Sequence, residues 1–470
     1  MTKFLLTPIA LAAALALGGC GMLQPELPQA QPDIPAAWPE PTAAADGAPA
    51  AHEVDWREFF TDPKLVQVIA TALDTNRDLR AAALNVERTR ALYNVQRAER
   101  LPSVGLSVVG ERSGGSGAIA AATPDVVSAG IGISTFELDL FGRVHNLSES
   151  ALQQYFAQEQ ARRAVQISLV GEIANVYLTL AADIESQRVA QATFEDQQAL
   201  YELIVKRQAI GAVSGLDVEQ ARTTVETARA DTAEFAGLVA TGRNALALLA
   251  GAPVEATLLP DGFNVAVSGL APLPAALPSS VLLRRPDVRQ AEFLLRAANA
   301  NIGAARAAFF PSITLTGSYG SASDELSSLF ESGIRLWRFA PSLNLPIFQG
   351  GRLTAQLEVA KVDRDLALAR YEQSIQAGFR DVADALALTR TLDARRTARQ
   401  ALLDAAARTH RLSKQRYDRG LDSYLVLLDA QRTLYSAQQG LIAAQLAEQD
   451  NRIRLYRVLG GGWNERMEGS

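Results

Sequence analysis

The chain has 470 residues, 20% of them charged, with 45 Lys and Arg against 51 Asp and Glu and a formal net charge of −6. That acidic balance excludes the basic stripe that nucleic acid demands. A mean hydropathy of +0.03 is more apolar than an ordinary soluble protein and far below a bundle of membrane helices.

Lys3 precedes an apolar run from Phe4 to Leu17, too short to span a bilayer, and then Gly18, Gly19 and Cys20. The stretch resembles a bacterial lipoprotein signal, which implies cleavage before Cys20 and a covalent lipid on it. The competing reading is a plain signal peptide with an incidental cysteine. Cys20 is the only cysteine in the chain, so no disulfide or thiolate metal site competes for it. Gly21 follows where a lipoprotein kept in the inner membrane would have Asp, which favours the outer membrane. From Gln24 to Pro49 seven prolines make an extended tether, on the order of 80 Å in reach at about 3.1 Å per residue.

Folded structure is expected from Trp56. One helix is predicted from about Asp62 to Arg100 and a second copy of it from about Pro286 to Phe310. Both stop at the same signal, Leu101-Pro102-Ser103 and Phe310-Pro311-Ser312, at an offset of 209 residues. Period-two alternation follows in each half. Ile313, Leu315 and Tyr319 face Thr314, Thr316 and Ser318, and Trp337, Phe339 and Leu343 face Arg338, Ala340 and Ser342. In the first half Ile131 and Ile133 change parity against Phe136, Leu138 and Leu140, the pattern of a bulge or of a misplaced strand end. Four strands per chain cannot close a lipid-facing sheet, since about eight make the smallest spanning barrel; a membrane barrel here must be shared between subunits.

Two helices without proline are predicted over about Val144 to Ile210 and Leu353 to Arg419. At 1.5 Å per residue each is on the order of 100 Å long, and both are too charged to lie in lipid. Each ends in a Gly-Ser tip, and Arg207, Gly211 and Ser214 precede Arg416, Gly420 and Ser423 at the same offset, so the chain is a duplicated unit. At the second tip a Ser/Asp pair, Asp422 and Ser423, is placed to cap the next helix. Each returning helix carries a three-four seam. Val218, Ala221, Val225, Ala228, Thr232, Phe235, Val239, Gly242, Leu246 and Leu249 are matched by Leu427, Ala430, Leu434, Ala437, Leu441, Ala444, Glu448, Asn451, Leu455 and Val458. The resulting segmentation is a signal peptide at 1–19, a tether at 20–55, a first repeat at 56–251, a linker at 252–280, a second repeat at 281–463 and a tail at 464–470. The fold class is mainly α, with strands destined for a membrane β-barrel.

The run Leu282, Leu283, Arg284, Arg285, Pro286, Asp287, Val288, with Ala291, Glu292, Ala298, Asn299, Ala300, Ile302 and Gly303, resembles the TolC-like outer-membrane efflux channels, in the lipoprotein branch of the OprM and NodT type. Trp56, Asp62, Pro63, Leu65, Ala72, Leu73 and Asn76 support it, as do Leu459 to Trp463. The resemblance implies a homotrimer with a shared twelve-stranded barrel in the outer membrane and a helical tube in the periplasm. It implies as partners a periplasmic adaptor and an inner-membrane pump of the resistance-nodulation-division class.

His52, His145 and His410 are scattered, and no Walker loop, dinucleotide fingerprint or G-x-S-x-G turn is present, so an enzyme is disfavoured; no cofactor is expected beyond the lipid on Cys20. Leu425, Asp429 and Arg432 are spaced four and three apart on one helix face, offset from Leu427 and Ala430. On spacing alone they read as an ordinary exposed i,i+3 pair. The resemblance assigns them, with Tyr417, to a constriction at the periplasmic opening, and assigns the tips, Arg207, Gly211 and Ser214 in the first and Arg416, Gly420 and Ser423 in the second, to adaptor docking. The first tip has Asp217 and Arg222 but Gln220 where the second has Asp429, so the second hairpin is expected to dominate the gate. A passive exit duct for small amphiphilic compounds is the reading that follows. Type I protein secretion, a non-porous periplasmic scaffold and a lipid-anchored enzyme are its rivals.

Overall fold

The computed structural model describes residues 23–35, 38, 54–112, 126–263, 270–271, 279–329 and 335–461. Cys20, the signal peptide, His52 and the tail beyond 461 lie outside the described residues. In chain order the elements are α1 (Trp56–Phe59), α2 (Pro63–Thr75), α3 (Arg77–Ala98), β1 (Val104–Glu111), β2 (Val126–Leu138), α4 (Arg143–Ala209), α5 (Gly215–Ala250), α6 (Pro286–Ala307), β3 (Ser312–Ser323), β4 (Leu336–Asn344), α7 (Arg352–Asp418) and α8 (Tyr424–Val458). They form two compact units. One comprises Met1–Pro32, Leu84–Gln160 and Arg289–Ser374, the other Asp33–Ala83, Ala161–Val288 and Ile375–Ser470, so each unit draws on both halves of the sequence.

The first unit holds the sheet. Its order is β1-β2-β3-β4, antiparallel throughout, so β1 and β4 each keep one unpaired edge. The expected bulge sits between Ile133 and Phe136, where Thr135 takes a positive φ of 51°. The middle pairing brings Gly130 opposite Gly320. Trp337 (73% exposed), Phe339 and Leu343 are exposed on β4, as an apolar face turned to lipid requires. The start of the tether is fastened rather than loose. Arg306 Nη1 donates to the Leu23 carbonyl at 3.0 Å, buried Asn299 donates to the Pro25 carbonyl at 2.8 Å, and the Gln31 N–H donates to Glu372 at 2.9 Å.

The second unit is helical. The helix expected over Asp62 to Arg100 is broken at Asn76, whose ψ of 132° is extended. Sequence periodicity does not register this break, because it is made by a long-range contact: the Asn76 side chain accepts from Leu79 N–H at 2.9 Å and donates to the Leu249 carbonyl at 2.8 Å. Around that point Trp56, Phe59, Leu65, Ile69, Ile173, Tyr177, Leu246 and Tyr456 form one buried core, with Phe59 stacked on Tyr456 at 4.1 Å between centroids. Every position of the two predicted seams is buried or half-buried, as close helix packing requires. An 18-residue window of Arg143–Ala209 is apolar enough to cross a membrane, with mean hydropathy 1.4, yet 61% of it is buried inside the protein. The segment expected to be a plain linker is pinned at its described points, by Lys64 Nζ to the Leu259 carbonyl (3.2 Å) and Asp261 (2.7 Å), and by Arg452 to the Leu270 carbonyl (2.6 Å).

Arg285, from the most specific sequence run, grips Asp287 through two hydrogen bonds of 3.0 and 2.7 Å and donates to the Val458 carbonyl at 2.9 Å. It thereby satisfies an orphan carbonyl at the end of α8. One carboxyl in this unit is strained electrostatically: burial pushes half-buried Asp450 up to about 6, and its Oδ1 has no hydrogen-bond partner. An ordinary Asp in the unfolded chain ionises near 3.8, so stability falls as pH rises from there through about 6 and the penalty is complete above it. Asp450→Asn is therefore expected to raise stability at pH 8 by about 1–2 kcal/mol after allowing for partial solvent screening, seen as a higher thermal midpoint, and to leave it unchanged at pH 4. Thermal denaturation at the two pH values checks this; an equal shift at both would show that the charge is not the cause.

Candidate functional site

The candidate site is the pair of hairpin tips. At each, the long helix ends in a Schellman turn. Gly211 (φ 74°) donates to the Gln208 carbonyl and Ala212 to the Arg207 carbonyl, both at 2.9 Å. Gly420 (φ 70°) donates to the Tyr417 carbonyl and Leu421 to the Arg416 carbonyl, again both at 2.9 Å. The left-handed φ explains why both positions are glycine.

The caps differ. Ser214 forms a full capping box with Asp217, its side chain accepting from the Asp217 N–H at 3.2 Å while Asp217 accepts from the Ser214 N–H at 3.0 Å. At the second tip the expected Ser/Asp cap does not form: Ser423 occupies the N-cap without a side-chain hydrogen bond. The residue matching Asp217 is Val426, which cannot complete a box. Asp422 is taken instead by Arg416, whose Nε and Nη2 donate to its two oxygens at 2.7 and 2.8 Å. That bidentate contact holds the Asp422 carboxyl below the usual carboxylate range. Of the docking arginines expected at the tips, Arg416 is thus engaged across its own turn. Arg207 lies over the Tyr417 ring at 5.3 Å from its centroid.

Beneath the turns a small core binds one hairpin to the other. Ile204 and Ala221 from the first pack with Tyr417, Tyr424, Leu427 and Leu428 from the second. The two tyrosine rings sit 6.1 Å apart, and burial pushes the Tyr424 hydroxyl up to about 12. The Tyr417 hydroxyl is buried with no hydrogen-bond partner. Tyr424 was not singled out from the sequence, although the seam continued back three residues from Leu427 reaches it. Further up, the Tyr435 hydroxyl donates to Asp231 at 2.9 Å, a second tie between the returning helices.

Of the four residues expected at the constriction, three share an exposed face of α8. Leu425 is 58% exposed, Asp429 and Arg432 are also exposed, and Leu427 and Ala430 are buried on the opposite side. Asp429 and Arg432 make no ion pair among the described residues. Tyr417 is placed differently: only 6% exposed, it packs under the turn and belongs to the core that supports that face.

The family model described as outer membrane efflux protein matches residues 68–252 and 277–461. The chain belongs to the outer membrane efflux protein family. It is 44% identical over 479 residues to the toluene efflux pump outer membrane protein TtgC of Pseudomonas putida, covering 99% of this chain and 97% of that one. It is 40% identical over 464 residues to the outer membrane protein OprJ of Pseudomonas aeruginosa, with 97% and 96% covered. Among solved structures, the open state of the MtrE outer membrane channel of Neisseria gonorrhoeae superposes with a TM-score of 0.85 at 38% identity, covering 93% of this chain and 98% of that one. The two matched segments carry the duplicated halves, and as a family member this efflux protein is an outer-membrane channel.

Proposed function

We propose that this efflux protein works as a homotrimer, a lipid-anchored passive exit duct gated at its periplasmic end and opened by engagement with an adaptor and an inner-membrane pump. The observation that carries the reading is the exposed Leu425, Asp429 and Arg432 face, set on a tip held from behind by a tyrosine core. Around a threefold axis such a face forms rings of Leu, Asp and Arg.

The trimer is supported by the sheet. Open edges at β1 and β4 cannot be left unsatisfied in hydrocarbon, and three copies of a four-stranded sheet close into twelve strands. Lipid attachment at Cys20 is supported by the lipoprotein-like signal and by the anchoring of the chain at Leu23, three residues further on. Small apolar organic compounds are the proposed cargo, since TtgC is named for toluene. A duct of this kind does no chemistry; energy and selection come from the pump.

The adaptor is proposed to grip the two turns, around Gly211 to Ser214 and Gly420 to Ser423. Ala212 and Leu421 occupy equivalent places just past the glycines and are exposed. Cysteines placed at Ala212 and Leu421 are expected to crosslink to a periplasmic adaptor in cells. Adduct formation only from mid-helix control sites would reject this assignment.

A further inference from the structure

Within the sheet-bearing unit a cleft of ≈ 240 Å³ lies where β2, β3 and β4 give way to α4, α6 and α7, with Glu137, Asp139, Arg143, Asn344, Gln349 and Arg352 in its lining. Two carboxylates and two guanidiniums line it, and they are not all paired with one another. Arg143 donates to Glu137 through Nε to Oε1 at 2.9 Å and Nη2 to Oε2 at 2.6 Å, a closed neutral pair. Asp139 accepts from the backbone N–H of Val144 at 3.2 Å and of His145 at 2.6 Å, where it serves the positive end of α4. Arg352 has no carboxylate among the described residues. Its guanidinium donates to the amide oxygens of Gln349 and, at 3.3 Å, of Gln356, both exposed. Arg352 is therefore the guanidinium of this lining without a carboxylate partner, held only by neutral amides at the surface.

Next to it the connection from β4 to α7 presents bare apolar side chains: Ile347 is 91% exposed and Phe348 88% exposed. A guanidinium without a carboxylate partner, beside exposed aliphatic and aromatic groups at the end of a membrane sheet, fits an amphiphile whose anionic head is a phosphate. A guanidinium fork matches phosphate oxygens, and exposed Ile and Phe side chains offer apolar surface to an acyl chain. We propose that this cleft binds an anionic phospholipid, with Arg352 on the phosphodiester and Ile347 and Phe348 along the acyl chain. Gln349 and Gln356 then turn their NH2 groups to the same phosphate. The inference rests on the sheet being the membrane-spanning part of the channel.

The test uses the full-length protein in nanodiscs of phosphatidylcholine with a minor fraction of phosphatidylglycerol, and native mass spectrometry of what stays bound after extraction. The wild type is expected to retain phosphatidylglycerol. Arg352→Gln is expected to lose it about tenfold, the effect of removing one charge-assisted contact, while Arg352→Lys keeps most of it and Phe348→Ser loses part. Should Arg352→Gln fail to assemble, the contrast between Arg352→Lys and Phe348→Ser decides. Unchanged retention in Arg352→Gln overturns the proposal. So does full displacement of the lipid by inorganic phosphate, which marks a bare anion site, and so does crosslinking of Phe348→Cys to a second copy, which shows that the chain itself covers this face. Bilayer conductance of the same samples reports separately on the channel: wild type that holds the lipid but does not conduct contradicts the duct and leaves the lipid site standing.

Discussion

With Asp429 and Arg432 both replaced by alanine, the purified channel is expected to conduct severalfold more than the wild type in a planar bilayer. Both side chains are exposed on the face of α8 turned away from its seam, and neither has an ion-pair partner among the described residues. In the proposed trimer their partners would be copies of themselves around the axis: a ring of alternating carboxylates and guanidiniums would join neighbouring tips by charge-assisted hydrogen bonds, each stronger than a neutral one. Alanine removes those links and narrows nothing. Because the positions are exposed, the substitutions cost the fold at most about 0.5 kcal/mol, so trimer yield serves as the control. Leu425→Ser, which opens only the apolar ring, is expected to have the smaller effect. Conductance equal to wild type in the double variant would remove this face as the gate.

The larger effect on assembly is expected in the sheet. Gly320→Ala abolishes outer-membrane insertion, whereas Gly317→Ala in the same strand is tolerated. Gly320 lies opposite Gly130, and a Cβ on it would stand 2.5 Å from the Gly130 Cα and still closer to the Ala129 carbonyl oxygen, all backbone atoms that cannot step aside. At Gly317 the same Cβ meets only the Arg338 carbonyl oxygen at 3.8 Å, an ordinary contact. Forcing β2 and β3 apart at the centre of a four-stranded sheet costs about 3 kcal/mol or more and breaks the ladder that a membrane barrel cannot leave unpaired. Folded trimer recovered from outer-membrane fractions measures both variants. Equal recovery of the two would show that β2 and β3 do not approach this closely in the assembled channel.

Much of the architecture was legible because it is periodic. The offset of 209 residues joined the tips, and the three-four seams from Val218 and from Leu427 named the buried faces of α5 and α8. The parity change between Ile133 and Phe136 located the bulge. The constriction face was legible as spacing, but its meaning came from resemblance, since Leu425, Asp429 and Arg432 look like any exposed pair. Tyr417, which the resemblance places at the constriction from the neighbouring helix, lies in the core beneath the turn, a position that no spacing within its own helix records.

By itself the sequence determined which segments are helices and strands, where the hairpins turn, and which side of each returning helix is buried. These follow from residues a few positions apart, whose spacing and φ preferences act locally. Only the tertiary structure decided that Asn76 breaks a helix by bonding to Leu249, that the tether is tied to Asn299 and Arg306, and that Arg207 reaches across to Tyr417. Such partners lie far apart in the chain, so no window of sequence contains both. The same holds for the second tip, where Asp422 had two possible uses and the geometry of Arg416 selected one. The turn is set by Gly420, and what stands on it for a neighbouring chain to meet is set by packing from the other hairpin.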